Sequence, residues 1–201
     1  MNERTNLVLR LILLAFVAVV IQEAAVSQIT LFGVSADLMP LVVMSVGLLC
    51  GSMAGAVFGF GSGLLVDLVL VQTLGVTSLL YIVIGYWAGR VRELRDPSHS
   101  LVPVVAGAAA TAVAGVGMAL IQFLLGVNAP VSMLLVQQIF LTVLINTLIS
   151  LPVYAIVRRV IGGTVPEDPR RRRRRAYTTG GLSPLQRPSE RFGPLPRSEV
   201  K

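Results

Sequence analysis

Cysteine, histidine and charge are what this chain of 201 residues has least of. Its one cysteine, Cys50, excludes an intramolecular disulfide and leaves no second thiolate for a metal site. Its one histidine, His99, leaves the common metal-ligating schemes without their usual side chains. Charged residues make up 13% of the chain, against about a quarter in soluble domains. No Lys or Arg lies between Leu11 and Gly89, a stretch long enough for several crossings of a ~30 Å hydrocarbon core. With 54% hydrophobic residues and a mean hydropathy of +0.79, the chain reads as an integral membrane protein.

What is present is a series of about six apolar segments, near 7–26, 37–50, 52–71, 74–90, 102–125 and 133–157. The expected fold is therefore an all-α integral membrane bundle of about six transmembrane helices. The second and third segments together cover only Asp37 to Val71, too little for two full spans of ~20 residues each. They are either tilted or a re-entrant hairpin sheltered by protein. A single long helix over 37–71 would send Arg90, Arg92 and Arg95 to the far side, against the charge rule. Arg4, Arg10 and the small residues Ala25-Val26-Ser27 give the first segment a leader-like look. Its apolar run is longer than a signal core and more spans follow, so it is expected to be retained.

The net charge of +7 is concentrated at four places: Arg4 and Arg10; Arg90, Arg92 and Arg95; Arg158 and Arg159; and a tail from Arg170 onward. A sequence pI of 10.7 would suggest nucleic acid in a soluble protein. Here each cluster flanks an apolar segment, and the positive-inside rule accounts for it without nucleic acid. The connections near 27–36, 72–73 and 126–132 hold no Lys or Arg and are expected outside, with both termini cytoplasmic. The division expected is a membrane bundle over 1–161 and a disordered Arg- and Pro-rich cytoplasmic tail over 162–201. Within that tail Arg170, Arg171, Arg172, Arg173, Arg174 and Arg175 are unbroken. Such a juxtamembrane cluster gains ~1 kcal/mol per charge near anionic lipid, although it could equally be a topology anchor only.

Three rows of residues recur at every fourth position. Gly51, Gly55, Gly59 and Gly63 lead to Asp67; Thr77 and Tyr81 lead to Gly85 and Gly89; Gln138, Thr142 and Asn146 lead to Ser150. Small residues at this spacing let a neighbouring helix approach closely in a bilayer, and Thr, Asn and Gln bond across helices. Packing explains most of this; the sharper reading makes the glycine face a dock for another protein's helix, or the polar row the wall of an interior cavity. Segment five, with Gly107, Thr111 and Gly115, continues the packing pattern, and Pro152 is expected to kink segment six. Asp67 stands apart, because an ionisable residue in lipid is costly and marks function by default. Its expected partner is a backbone end, Tyr81, Gln137 or a group from another protein. Glu23 and Asp37 are expected at the interface, solvated.

Catalysis finds no footing here. His99, beside Arg95 and Asp96 in a cytoplasmic loop, cannot pair with Ser62 across the membrane. A second intramembrane aspartate for a dyad is missing, and no enzyme, cofactor or metal site is expected.

The run Gly55-Ala56-Val57-Phe58-Gly59-Phe60-Gly61-Ser62-Gly63-Leu64-Leu65-Val66-Asp67 resembles the characteristic segment of the rod shape-determining protein MreD family. Leu74-Gly75-Val76-Thr77-Ser78-Leu79-Leu80-Tyr81 and Gly85-Tyr86-Trp87-Ala88-Gly89-Arg90 look like the helix that follows it. Asp37-Leu38-Met39-Pro40 matches the family's Pro-Asp-Leu start only in part, since the proline comes after the aspartate. The resemblance implies a non-enzymatic inner-membrane component of the cell-elongation complex, working with MreC, MreB, RodA and a class B penicillin-binding protein. It also implies a fold like the substrate-binding subunits of energy-coupling-factor vitamin transporters. On this reading Gly55, Gly59, Gly63, Asp67, Tyr81, Gly85 and Gly89 pack helices or dock a partner. The alternative is a small-molecule transport subunit, with Gln138, Thr142 and Asn146 touching the ligand.

Overall fold

The computed structural model describes residues 3–26, 30–31, 34–71, 73–94, 101–126 and 133–162. Among these it has six α-helices: α1 (Glu3–Ile21), α2 (Leu38–Cys50), α3 (Ser52–Val69), α4 (Val76–Leu94), α5 (Leu101–Leu124) and α6 (Met133–Ile161). A π-helical turn, Gln22–Val26, extends α1. Two short strands, β1 (Thr30–Leu31) and β2 (Val34–Ser35), pair antiparallel with Thr30 opposite Ser35. The chain is thus a helical bundle with one small hairpin where the sequence suggested only a loop.

Among the described residues four stretches are long and apolar enough to cross a membrane: Thr5–Ala24, Ser52–Val69, Leu101–Leu124 and Met133–Ile161. They turn large apolar side chains outward, among them Phe16 at 60%, Val57 at 70% and Leu148 at 81% exposure. Water would penalise such a surface, whereas lipid is its natural solvent. α6 continues unbroken as a helix through Pro152.

α2 is different. Its residues Met39 through Leu48 are all buried, and it lies against α1, α3, α4, α5 and α6. A helix that is apolar all round belongs inside a bundle. At ~1.5 Å per residue its 13 residues extend roughly 20 Å, short of a ~30 Å core. It ends at Gly51, whose φ of +97° turns the chain back sharply, a backbone shape other residues rarely take. A methyl group on Gly55 would come within 2.7 Å of the Gly47 Cα. Residues 47 and 55 therefore face each other across a tight hairpin, and a single long helix over 37–71 is ruled out.

The helix register also gathers the described arginines at one end. Arg10 donates to the Val160 carbonyl (3.1 Å), joining the first turns of α1 to the last of α6. Arg92, near the end of α4, donates to the Leu49 carbonyl at the end of α2. The Ser52 hydroxyl, at the start of α3, donates to Glu93 (2.6 Å), which also pairs with Arg90 at 2.9 Å. The expected tail, with Arg170 to Arg175, lies outside the described residues, as does His99.

Candidate functional site

The glycine row of α3 is used within the chain, against α4. A methyl group on Gly59 would land on the Tyr81 carbonyl, and one on Gly55 on the Gly85 carbonyl. From the other side, a methyl on Gly85 would strike the Gly55 carbonyl, and one on Gly89 the Ser52 backbone. Gly63 is held as closely, 2.5 Å separating such a methyl from the Ser78 Cα. These are backbone-to-backbone approaches, which no side-chain rotation relieves. Gly61 points the other way, with nothing within 4 Å. The sequence rows Gly55-Gly59-Gly63 and Tyr81-Gly85-Gly89 thus meet each other.

Asp67 closes this seam at the end remote from the arginines. It is fully buried, and its Oδ2 accepts the Gly75 backbone N–H at 2.7 Å, one residue before α4 begins. A carboxylate at a helix start satisfies an otherwise orphaned donor and opposes the positive end of the dipole. A backbone end is therefore its partner. Its Oδ1 and the buried hydroxyls of Thr77 and Ser78 make no hydrogen bond in the structure.

A second polar locus was only partly marked by spacing, which singles out Asn146 but not its partners. The start of α2 lies near the middle of α6, among other helices, and its backbone groups find protein partners there. Asn146 provides two: its Oδ1 accepts the Asp37 N–H (3.2 Å) and its Nδ2 donates to the Asp37 carbonyl (2.8 Å). The same Nδ2 lies 3.1 Å from the Thr111 Oγ1 of α5. Gln22, at the end of α1, accepts the Leu38 N–H at 2.8 Å and donates to the Ala36 carbonyl at 3.2 Å. Asp37 itself caps α2, accepting the Met39 N–H. Asp37 is therefore a structural cap bonded to mid-bundle residues that keeps partial exposure.

Above this clamp a cavity of about 320 Å³ opens between α4, α5 and α6. Asp37 and Thr111 line its deep end; Thr77 and Tyr81 of α4, Gln122 of α5, and Gln138 and Thr142 of α6 line its walls. Two members of the sequence row, Gln138 and Thr142, thus face the cavity, while Asn146 is buried among the groups it clamps. Gln22, Asp37, Thr77 and Gln122 were not among the site residues expected from the sequence, although Thr77 stands in the every-fourth row of α4 and Asp37 in the family's start motif.

A family model described as rod shape-determining protein MreD matches residues 3–160. The chain belongs to that family. No curated protein and no solved structure matches it. The MreD family is non-catalytic. Among the described residues no group of three or more His, Cys, Asp or Glu is placed to hold a metal ion.

Proposed function

We propose that the chain is a non-enzymatic inner-membrane scaffold of the cell-elongation machinery, which docks MreC within the membrane and so supports peptidoglycan synthesis by RodA and a class B penicillin-binding protein. The observation that carries this is the family match over 3–160. The same reading has six crossings, a fold like the substrate-binding subunits of energy-coupling-factor transporters, and both termini cytoplasmic. The gathering of Arg10, Arg90, Arg92, Arg158 and Arg159 toward one end supports that orientation. α2 then enters from mid-depth and is shielded from lipid by the other helices. MreB is reached directly or through these partners.

The glycines serve the scaffold by building the α3–α4 pair. Since α4 covers Gly55, Gly59 and Gly63, the surface left for a partner helix is the outer face of the pair, where Val57, Phe60 and Gly61 are open. Gly61 is the small residue of that face. The tail arginines Arg170 to Arg175 add contact with anionic lipid.

The test is in-cell crosslinking of the tagged protein, capture from native membranes and mass spectrometry. Recovery of MreC with RodA or a penicillin-binding protein supports the scaffold, and Gly61→Leu should then abolish MreC capture while the protein remains inserted. Recovery of an ATPase pair with a coupling membrane subunit supports transport instead, the reading that the open cavity favours.

A further inference from the structure

The cavity between α4, α5 and α6 carries a charge pattern that the scaffold reading does not use. Among the described residues its wall holds one carboxyl, Asp37, and no Lys or Arg. The imbalance extends beyond the wall. No Lys or Arg occurs at 11–89 or 96–157, so the described basic residues sit at the opposite end of the bundle. Glu23 and Asp67 add two further carboxyls to this half. The helix starts nearby are already matched, Asp37 capping α2 and Asp67 holding Gly75 before α4. Each helix start contributes roughly half a positive charge, less than the carboxylate set against it. The end of α5 and the start of α6 flank the mouth with opposite dipole ends. The charge-bearing group in the described wall is therefore an acid with no base beside it, and clefts with low-dielectric walls focus the field of such a group on what enters.

Thr77 borders the cavity through its carbon atoms, its Oγ1 being sealed off beside Ser78 and Asp67. The remaining wall divides into polar groups (Tyr81, Gln122, Gln138, Thr142) and apolar ones, including Met118 and Ile139. A volume of about 320 Å³ lies at the small end of ligand pockets.

We propose that this cavity binds a small amphipathic ligand through a cationic ammonium group, with Asp37 opposing the charge and the Met118–Ile139 side covering the apolar part. The ammonium comes either from a soluble amine or from an ethanolamine lipid headgroup. A bare phosphate or carboxylate ligand is disfavoured by the same field. The site is independent of partner docking, and either can fail without the other.

The test uses the full chain in lipid nanodiscs, titrated calorimetrically with hexylammonium, hexanoate and hexanol, with empty nanodiscs subtracted. Hexylammonium should bind saturably and at least tenfold more tightly than the other two. Asp37→Asn should weaken it about tenfold while keeping the α2 cap, since Asn caps helices as well as Asp. Gln138, exposed on the wall, allows a second series that does not depend on the core. Gln138→Glu should tighten hexylammonium binding several-fold, and Gln138→Lys should weaken it tenfold or more. If nanodiscs mixing phosphatidylethanolamine with phosphatidylglycerol bind the probe at least fivefold more weakly than nanodiscs mixing phosphatidylcholine with the same share of phosphatidylglycerol, surface charge being matched, the native source is the ethanolamine headgroup. Equal binding in the two assigns a soluble amine. Equal affinity for hexanoate and hexylammonium, indifference to both Gln138 changes, or no saturable heat above empty nanodiscs overturns the proposal.

Discussion

α4 has two working sides, and they are built in opposite ways from similar spacing. Toward α3 it presents Gly85 and Gly89, and the two backbones touch. Toward α5 and α6 it presents Thr77 and Tyr81, and a cavity remains. Gly55-Gly59-Gly63 and Gln138-Thr142-Asn146 share the same four-residue period, so period alone does not decide closure. Side-chain volume does. Glycine lets dispersion contacts form between main chains, the chief attraction available where lipid removes the hydrophobic drive. Gln and Thr hold the helices apart and line the space with groups able to bond a third party.

The most severe way to break this comparison is to put bulk into the closed side. Gly59→Leu and Gly85→Leu each drive a side chain into a carbonyl on the facing helix. Overpacking that side chains can absorb costs about 1–3 kcal/mol. Here main chain would have to move, so the expected loss is about 3 kcal/mol or more, read as a lowered unfolding midpoint and poor yield in detergent. Gly61→Leu, with open space beside it, should stay within about 0.5 kcal/mol of wild type. Similar stabilities for the Gly59 and Gly61 variants would mean the seam is not where the stability lies.

Next in size comes the floor of the open side. Asn146→Leu keeps the volume roughly and removes both bonds to the Asp37 backbone and the contact with Thr111. An orphaned buried group costs about 1–3 kcal/mol, so denaturant unfolding should show a loss in that range. Amides around Asp37 should exchange with deuterium faster than those of the α3–α4 seam. Uniform exchange across the bundle would remove the distinction between a clamp and a seam.

This clamp also shows what the sequence could and could not disclose. The helices were legible, because apolar runs, the arginine clusters and the glycine period are local patterns. The hairpin at Gly51 was legible as a length problem, two segments sharing too few residues. Shelter by protein was one of two alternatives the sequence left open, but the start of α2 beside the middle of α6 was not legible. It depends on Asp37 meeting Asn146 across 109 positions and on Gln22 turning toward Leu38, and no periodicity records a partner at that separation. Asp67 was legible as unusual, with a backbone end among its expected partners, but Gly75 was not singled out, since every sequence offers such N–H groups at each helix start.

Asp67 separates charge from shape at the closed end of the seam. Asp67→Asn retains an oxygen for the Gly75 N–H and loses only the charge facing the α4 dipole, an effect of about 0.3–2 kcal/mol. Asp67→Ala also orphans the N–H and should cost more, about 1–3 kcal/mol beyond the Asn variant. Paired unfolding curves for the two variants measure the difference. Equal losses would assign Asp67's whole contribution to its charge. Wild-type cell elongation with Asn would make that charge dispensable for function.

The smallest effect is expected at the arginine-bearing end, where the seam meets water. The Ser52 hydroxyl first, and Arg90 second, hold the Glu93 carboxyl below its ordinary range. A depressed carboxylate contributes stability above its unfolded-state value and loses it as pH falls through the folded one. The window therefore lies on the acid side of the ordinary glutamate range, and neutral pH leaves the contact fully formed. Because Glu93 is exposed, solvent screens the contribution and global unfolding should barely register it. The carboxyl carbon of Glu93 followed by NMR is the sensitive measure. Ser52→Ala should move its titration back toward the ordinary value more than Arg90→Gln does, since the hydroxyl bond is the larger of the two causes. The reverse order would make the ion pair, rather than the α3–α4 contact, the feature that anchors this end of the seam.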